Sequence, residues 1–163
     1  MNDFKNQTAV ITGATRGIGR AIAMQMLAGG ARVVGLYGRD ELAATACRKE
    51  AAGLERGELH LHQCDVADYE QVSRLYRKIE ADFDTIDILV NNAGIRRDGV
   101  LAMLKHDDWQ RVLDVNLTGA YNMAKYAVML MMKQKYGRII FIPSPMARLG
   151  FAGQANYAAS KAG

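Results

Sequence analysis

Cysteine is almost missing from this chain: its 163 residues contain two, Cys47 and Cys64. They fall in segments that read as a helix and a strand, which excludes a disulfide framework and leaves reduced thiols as the expectation. Long apolar runs are missing too. No stretch approaches the roughly 18 uninterrupted apolar residues of a membrane helix, and the opening Met1-Asn2-Asp3-Phe4-Lys5-Asn6 carries no apolar signal region. The expectation is a cytoplasmic protein without membrane contact. There is no block of like charge either. The net charge is +4, but lysines and arginines are scattered among acids, no nucleic-acid arm is visible, and solvated surface accounts for most of the excess. Linkers, low-complexity tracts and sequence repeats are likewise absent. What is present, half hydrophobic residues and 23% charged ones, is enough for one domain over residues 1–163 with a sizeable core.

Short apolar, β-rich runs alternate with longer segments of helical period. The runs predict strands at Thr8–Thr12, Arg32–Tyr37, Leu59–Cys64, Ile86–Val90 and Arg138–Ile142. The helical period predicts helices at Ile18–Leu27, Glu41–Ala52, Tyr69–Asp82 and about Trp109–Lys135, with a turn around Leu101–Lys105. The strands are nearly continuous in apolar residues, as in a parallel sheet covered by helices on both faces. The predicted fold class is α/β, a Rossmann-like doubly wound parallel sheet.

Directly after the first strand comes Thr12-Gly13-Ala14-Thr15-Arg16-Gly17-Ile18-Gly19, followed at once by a helix. Glycines there permit a tight turn and close approach of backbone to a pyrophosphate, which the free N–H groups and dipole of the helix N-terminus attract. Gly13, Thr15, Arg16, Gly17, Ile18 and Gly19 are thus candidate dinucleotide-binding residues. The second strand ends in Leu36-Tyr37-Gly38-Arg39, with no acid to receive ribose hydroxyls; Asp40 and Glu41 follow as caps of the next helix. Arg39 and Arg16 could clamp a 2′-phosphate, favouring NADP(H), or could be solvated.

The third strand ends in Cys64-Asp65-Val66 and the fourth in Asn91-Asn92-Ala93-Gly94, so two polar clusters fall at carboxyl ends of strands, where such sheets bind ligands. Asp65 is a candidate acceptor for an adenine amino group and Asn92 a candidate liner of the adenosine side; both residue types are also common turn formers. Asn116 lies inside a long helical stretch, where an amide has no propensity reason to be and could hold a water. Near the end of the chain, Tyr157 and Lys161 are four residues apart and share a helix face, with Ser144 thirteen residues upstream of the tyrosine. A cation beside a phenol favours the phenolate, which makes Tyr157 a candidate general acid or base.

Taken in order, Thr12-Gly13-x3-Gly17-x-Gly19, Asp65, Asn91-Asn92-Ala93-Gly94, Asn116, Ser144 and Tyr157-x3-Lys161 resemble the short-chain dehydrogenase/reductase family, over essentially the whole chain. Gly153–Gly163 and Asn91–Asp98 are most similar to the 3-oxoacyl-acyl-carrier-protein reductases within it, and acetoacetyl-CoA reductases are similar there too. The resemblance implies NADPH-dependent reduction of a 3-oxoacyl thioester on carrier protein or CoA, in fatty-acid or polyketide type metabolism, by a homotetramer. It implies Tyr157 as the acid that protonates the carbonyl oxygen and Ser144 as the group that polarises the carbonyl. Lys161 would hold the nicotinamide ribose and favour ionisation of the tyrosine, while Asn116 would hold a water between Lys161 and solvent. Val66, Ala93 and Gly94 join the cofactor-binding set with Asp65, Asn92, Tyr157 and Lys161. Pro143 and Pro145 flank Ser144 where small or aliphatic residues are commoner in relatives.

Family members run to about 250 residues, so the chain reads as C-terminally truncated relative to them, without the last strands and the substrate loop. Two expectations follow. The strand Arg138–Ile142 becomes an exposed apolar edge, and the seven residues from Tyr157 to Gly163 are too few to sustain a helix by themselves. Two readings stand beside that of a 3-oxoacyl thioester reductase: a chain that binds nucleotide without turnover, and a reductase of another small carbonyl or alcohol substrate. His60, His62 and Cys64 share one strand face, but without a fourth ligand they read as packing, and no metal site is expected. Met123, Met129, Met131 and Met132 read as packing or subunit contact. Arg96 and Arg97 could meet a phosphate of the substrate's carrier or form a solvated loop.

Overall fold

The computed structural model describes residues 3–163; Met1 and Asn2, where the N-terminal reading begins, lie outside the described residues. Strands β1 (Thr8–Thr12), β2 (Arg32–Tyr37), β3 (Glu58–Gln63), β4 (Ile88–Asn91) and β5 (Arg138–Phe141) form one parallel sheet in the order β3-β2-β1-β4-β5. The helices are α1 (Gly17–Ala28), α2 (Glu41–Ala51), α3 (Tyr69–Phe83), α4 (His106–Leu113), α5 (Gly119–Gln134), α6 (Met146–Leu149) and α7 (Ala155–Ala162). No described helix is long and apolar enough to cross a membrane.

The continuous apolar strands have the predicted cause. Val10, Val34, Leu36 and Leu89 point into a core closed by α3 and α5, with Val72, Ile79, Met123 and Leu130. Ala9, Ile11, Val33 and Val90 point to the other face, against Ala23 and Leu27 of α1. The three central strands β1, β2 and β4 bury both faces, so their apolar pattern has no polar alternation. The strand order reverses direction at β1 and β4, which opens a crevice above their carboxyl ends.

β1 and β2 have the predicted bounds. β4 begins at Ile88 rather than Ile86, because its pairing with Ala9 and Arg138 starts there. The predicted helix Trp109–Lys135 is corrected. It begins at His106, where Asp107 and Asp108 fall in a first turn that favours negative charge, and Asp114–Thr118 forms a π-helical segment between α4 and α5. Lys135 ends α5 in the left-handed conformation, at φ 56°. The predicted turn contains a 3-10 helix at Leu101–Met103. The short segment from Tyr157 onward, expected not to sustain a helix by itself, has support from outside: α7 forms over eight residues with Asn156 and Ser160 buried. Its side chains are tied elsewhere, Asn156 Nδ2 donating to Arg97 O at 2.9 Å and Asn116 Nδ2 donating to Ser160 Oγ at 2.9 Å. β5 is an edge strand, with Ile140 and Phe141 43% and 54% exposed.

Candidate active site

The glycine loop is held from below by side chains of its own neighbours. Thr12 Oγ1 accepts from the backbone N–H groups of Asn92 (2.9 Å) and Ala93 (2.8 Å), and Asn92 Nδ2 donates to the carbonyls of Thr12 (2.9 Å) and Gly13 (3.3 Å). This sews the end of β4 to the end of β1. Gly13 takes φ 66°, in the left-handed region that favours glycine. At Gly19 a Cβ would stand 2.3 Å from Gly13 O and 2.4 Å from Asn92 Nδ2, so only glycine lets α1 start this close to the loop. No side chain caps α1, which leaves its first-turn N–H groups facing the crevice.

That crevice is a cleft of about 1050 Å³. Of the predicted cofactor residues, Gly13, Thr15, Arg16, Gly17, Ile18, Arg39, Asp65, Val66, Asn92, Ala93 and Gly94 line it. Gly19 is buried beneath the loop. Tyr157 and Lys161 are not part of its wall. The uncapped helix end and the close-packed glycines fit an elongated anionic ligand such as a dinucleotide. Arg16 and Arg39 are exposed on the same wall, and neither is paired with a carboxylate among the described residues. Asp40 is spent as predicted, its Oδ1 accepting from Ala43 N at 2.9 Å to cap α2. Glu41 does not cap; it accepts from the Tyr37 hydroxyl at 2.6 Å and pairs with Arg48.

Asp65 lines the same cleft just past the end of β3, with a partner that sequence reasoning missed. Arg111 of α4 donates to Asp65 Oδ2 at 2.7 Å, while Asp65 Oδ1 accepts from Ala67 N at 3.1 Å. Arg111 gives no signal in the sequence, because it is one more exposed basic residue of an amphipathic helix.

Asn116, buried in the π segment, clamps the loop after β4. Its Oδ1 accepts from Ile95 N at 2.8 Å, and its Nδ2 donates to Ile95 O at 3.0 Å and to Ser160 Oγ at 2.9 Å. Both amide hydrogens are committed to protein, and one oxygen lone pair remains open to a further donor. A π turn at a functional position is a recurrent association.

Lys161 Nζ donates to Ile142 O at 2.9 Å, at the end of β5, and lies 3.6 Å from the position a Cβ on Gly94 would occupy. Burial lowers its pKa from the usual 10.5. Tyr157 lies one turn earlier on the same helix, half-buried, with the Arg96 guanidinium 5.8 Å from its ring centre. Ser144 lies past β5, where its Oγ accepts from Met146 N at 3.3 Å and starts α6. Pro145 precedes that helix at φ −55°, which suits a helix start. No hydrogen bond joins Ser144 to Tyr157 among the described residues. Against Lys161 a second cavity of about 520 Å³ opens between α5, α7 and β5, lined by Asn116, Tyr121, Phe141 and Ile142 among others.

His60 stands edge-on to Phe83 of α3, with ring centres 5.0 Å apart, and Cys64 is in the core against the same helix. Burial lowers the pKa of His62 and raises that of Cys64 to about 11. Cys47 and Cys64 are both free and buried.

A family model described as short chain dehydrogenase matches residues 7–163. The chain is 46% identical over 163 residues to a 3-oxoacyl-(acyl-carrier-protein) reductase of Synechocystis sp., covering all of this chain and 66% of that protein. It is 43% identical over 161 residues to the Escherichia coli reductase of the same name, covering 99% of this chain and 64% of that one. It thus spans about two thirds of the length of these curated relatives. Its backbone is similar to the crystal structure of a metagenomic short-chain oxidoreductase in complex with NADP, with a TM-score of 0.91 and 35% identity over 97% of this chain and 71% of that one.

Proposed function

Because this chain belongs to the short-chain dehydrogenase family, we propose that it works in NADPH-dependent reduction of a 3-oxoacyl thioester, on acyl carrier protein or CoA, to the 3-hydroxyacyl thioester. The observation that carries this reading is the placement of Tyr157 and Lys161 on one face of α7, with the Lys161 ammonium drawn to the Ile142 carbonyl beside Gly94 of the cleft. The likeness to curated 3-oxoacyl reductases supports the substrate class. The two arginines without carboxylate partners at the end of β2 and on the glycine loop support NADPH over NADH, since each can bond a 2′-phosphate. A homo-oligomer and a cytoplasmic setting go with this reading.

The glycine loop and the α1 N-terminus would hold the pyrophosphate, Arg16 and Arg39 the 2′-phosphate, Asp65 the adenine, and Lys161 the nicotinamide ribose. A bound reduced nicotinamide supplies the hydride. The chain's own residues supply the rest. Tyr157 gives its phenolic proton to the carbonyl oxygen as negative charge develops there, and the Ser144 hydroxyl orients that oxygen. The half-buried Lys161 ammonium sits one turn away and favours the phenolate that remains. Asn116 holds the loop after β4 and the α7 helix at fixed spacing, so the tyrosine keeps one position relative to the loop that borders the cleft.

The test is NADPH oxidation with acetoacetyl thioesters. Tyr157→Phe should lower kcat by roughly 10²- to 10⁴-fold with little change in NADPH binding; unchanged turnover would refute the assigned acid. A second reading, dinucleotide binding without turnover, is favoured by the separation of Ser144, whose Oγ accepts from Met146 N, from Tyr157, to which no hydrogen bond joins it among the described residues. NADPH binding by calorimetry with no oxidation by any acetoacetyl thioester would establish it.

A further inference from the structure

The cation in contact with the Tyr157 ring is Arg96, whose guanidinium carbon stands 5.8 Å from the ring centre. Lys161, one turn along the same helix, gives its ammonium to the Ile142 carbonyl at 2.9 Å instead. The Arg96 contact is held from both of the loops that meet there. Arg96 forks onto Asp98, through Nε to Oδ1 at 3.4 Å and through Nη2 to Oδ2. Asp98 Oδ2 also accepts from Nε2 of Gln154 at 3.3 Å, and Gln154, only 4% exposed, is the residue on which α7 starts. Beside this, Gly99 N donates to Gly153 O at 2.9 Å, and Asn156 Nδ2 donates to Arg97 O. Side chain and backbone thus tie the loop after β4 to the start of α7, and the planar fork of Arg96 is fixed where a solvated arginine would be free. The hydrogen bond from Arg96 also holds the Asp98 carboxyl below the usual range, so the pair stays charged.

A guanidinium against a phenol ring is attracted to it, and more strongly once the ring carries the phenolate charge. The contact that fixes the ring therefore also favours its ionised form, while Asp98, paired with the same guanidinium, offsets part of that field. We propose that Arg96 is a positioning residue for Tyr157, holding its ring in place and setting, against Asp98, how readily the phenol releases its proton. Its consequence for turnover rests on the reading of Tyr157 as the proton donor; its effect on ionisation does not. The other charges on elements packed against α7 are Asp108 of α4, paired with Arg97 at 3.6 Å, with His106, Asp107 and Arg111 of that helix, Asp114 of the π segment, Arg148 of α6 and Lys161 of α7 itself. Of these residue types only lysine changes charge in the range where a phenol does, so Lys161 is the one group that the experiment has to separate from the tyrosine.

The experiment titrates the ultraviolet absorbance of phenolate, with the curve of Tyr157→Phe subtracted in each background to isolate this one of seven tyrosines. In Arg96→Met, which keeps most of the bulk and loses the charge, the midpoint should rise by about half a pH unit. Arg96→Lys should stay near the wild type. In Asp98→Asn, which can still accept from Gln154 but no longer offsets the guanidinium, the midpoint should fall, by a smaller amount. Shifts of opposite sign are what a charge at this place predicts; a merely structural role moves the two variants the same way or neither, and either result overturns the proposal. The opposite shifts should persist in Lys161→Met, and their loss there would show that the lysine carries them and overturn it too. Turnover is read in parallel. Reduction needs the protonated phenol, so the alkaline limb of kcat with acetoacetyl thioesters should move with the absorbance midpoint, to higher pH in Arg96→Met and to lower pH in Asp98→Asn. Opposite absorbance shifts with no turnover uphold this inference and remove the acid role of Tyr157; turnover with an unmoved midpoint removes this inference alone. Arg96 and Asp98 are both exposed, and melting curves of the variants confirm that the fold is kept.

Discussion

At the scale of single residues, Gly19 and Lys161 show two ways in which a fold constrains its site. Gly19 has an ordinary backbone conformation, so the demand for glycine there is one of space: the atoms that a Cβ would meet are a loop carbonyl and the Asn92 amide that holds it. A carbonyl in a sewn loop cannot swing away as a side-chain tip can. Gly19→Ala should therefore weaken dinucleotide binding at least tenfold and cost about 1–3 kcal/mol of stability in urea titration; binding and stability like the wild type would show that the loop yields. Lys161 carries its constraint as charge. Burial lowers its pKa in the folded chain, so between that lowered value and the usual 10.5 the unfolded chain binds more protons. Stability then rises with pH through that window. The penalty is fully present below the folded value and is relieved above it. The difference in unfolding free energy between Lys161→Met and wild type, followed from pH 7 to pH 10, should shrink in the variant's disfavour as the wild type gains. A flat difference would mean that burial costs the ammonium nothing.

At the scale of elements, the helical run from α4 to α5 carries the site through its defect. An unbroken α-helix is what the period of Trp109–Lys135 predicts, but the i→i+5 turn at Asp114–Thr118 depends on one side chain folding back onto the backbone of Ile95, a contact 21 residues away. Asn116→Ala leaves the N–H and C=O of Ile95 without that partner and frees Ser160 of α7. It should cost roughly 1–3 kcal/mol for each group left buried and unpaired, and should lower kcat more than it raises the KM for NADPH. Loss of stability alone would limit Asn116 to a scaffold role. The same case shows what was legible in advance. Asn116 stood out because an amide has no propensity reason to sit in a helix, and the glycine loop stood out because its spacing follows a strand directly. β1 and β2 were legible to the residue, since apolar runs covered on both faces end at sharp polar turns. The π turn and the Arg111–Asp65 pair were not, because each involves a partner far along the chain. α7 depends on partners of the same kind: so short a helix is marginal by itself, and the buried Asn156 and Ser160 hold it through tertiary hydrogen bonds.

At the scale of the whole molecule, the sheet is protected unevenly. β3 ends one edge with half-buried residues, but β5 ends the other with Ile140 and Phe141 well exposed, and on the same side Tyr121, Met129 and Met132 of α5 are 58%, 55% and 71% exposed. The cavity lined by Tyr121, Phe141 and Ile142 joins these surfaces. An apolar edge strand offers unpaired N–H and C=O groups as well as greasy side chains, and it lacks the Pro, bulge or inward charge that blunt such edges. Lys and Arg along the chain give a net charge of only +4, too little to keep copies apart at physiological salt. The 163-residue chain should therefore self-associate, with a weight-average mass that climbs with concentration in sedimentation velocity. Phe141→Lys acts on the edge and Met132→Lys on the helix face, so the two separate the possible contacts. If the edge dominates, Phe141→Lys alone should shift the mass to that of the monomer; if the helix face dominates, Met132→Lys should. A chain that sediments as a monomer at every concentration would show that both surfaces are tolerated in water, and would remove the homo-oligomer from the proposed function of this segment.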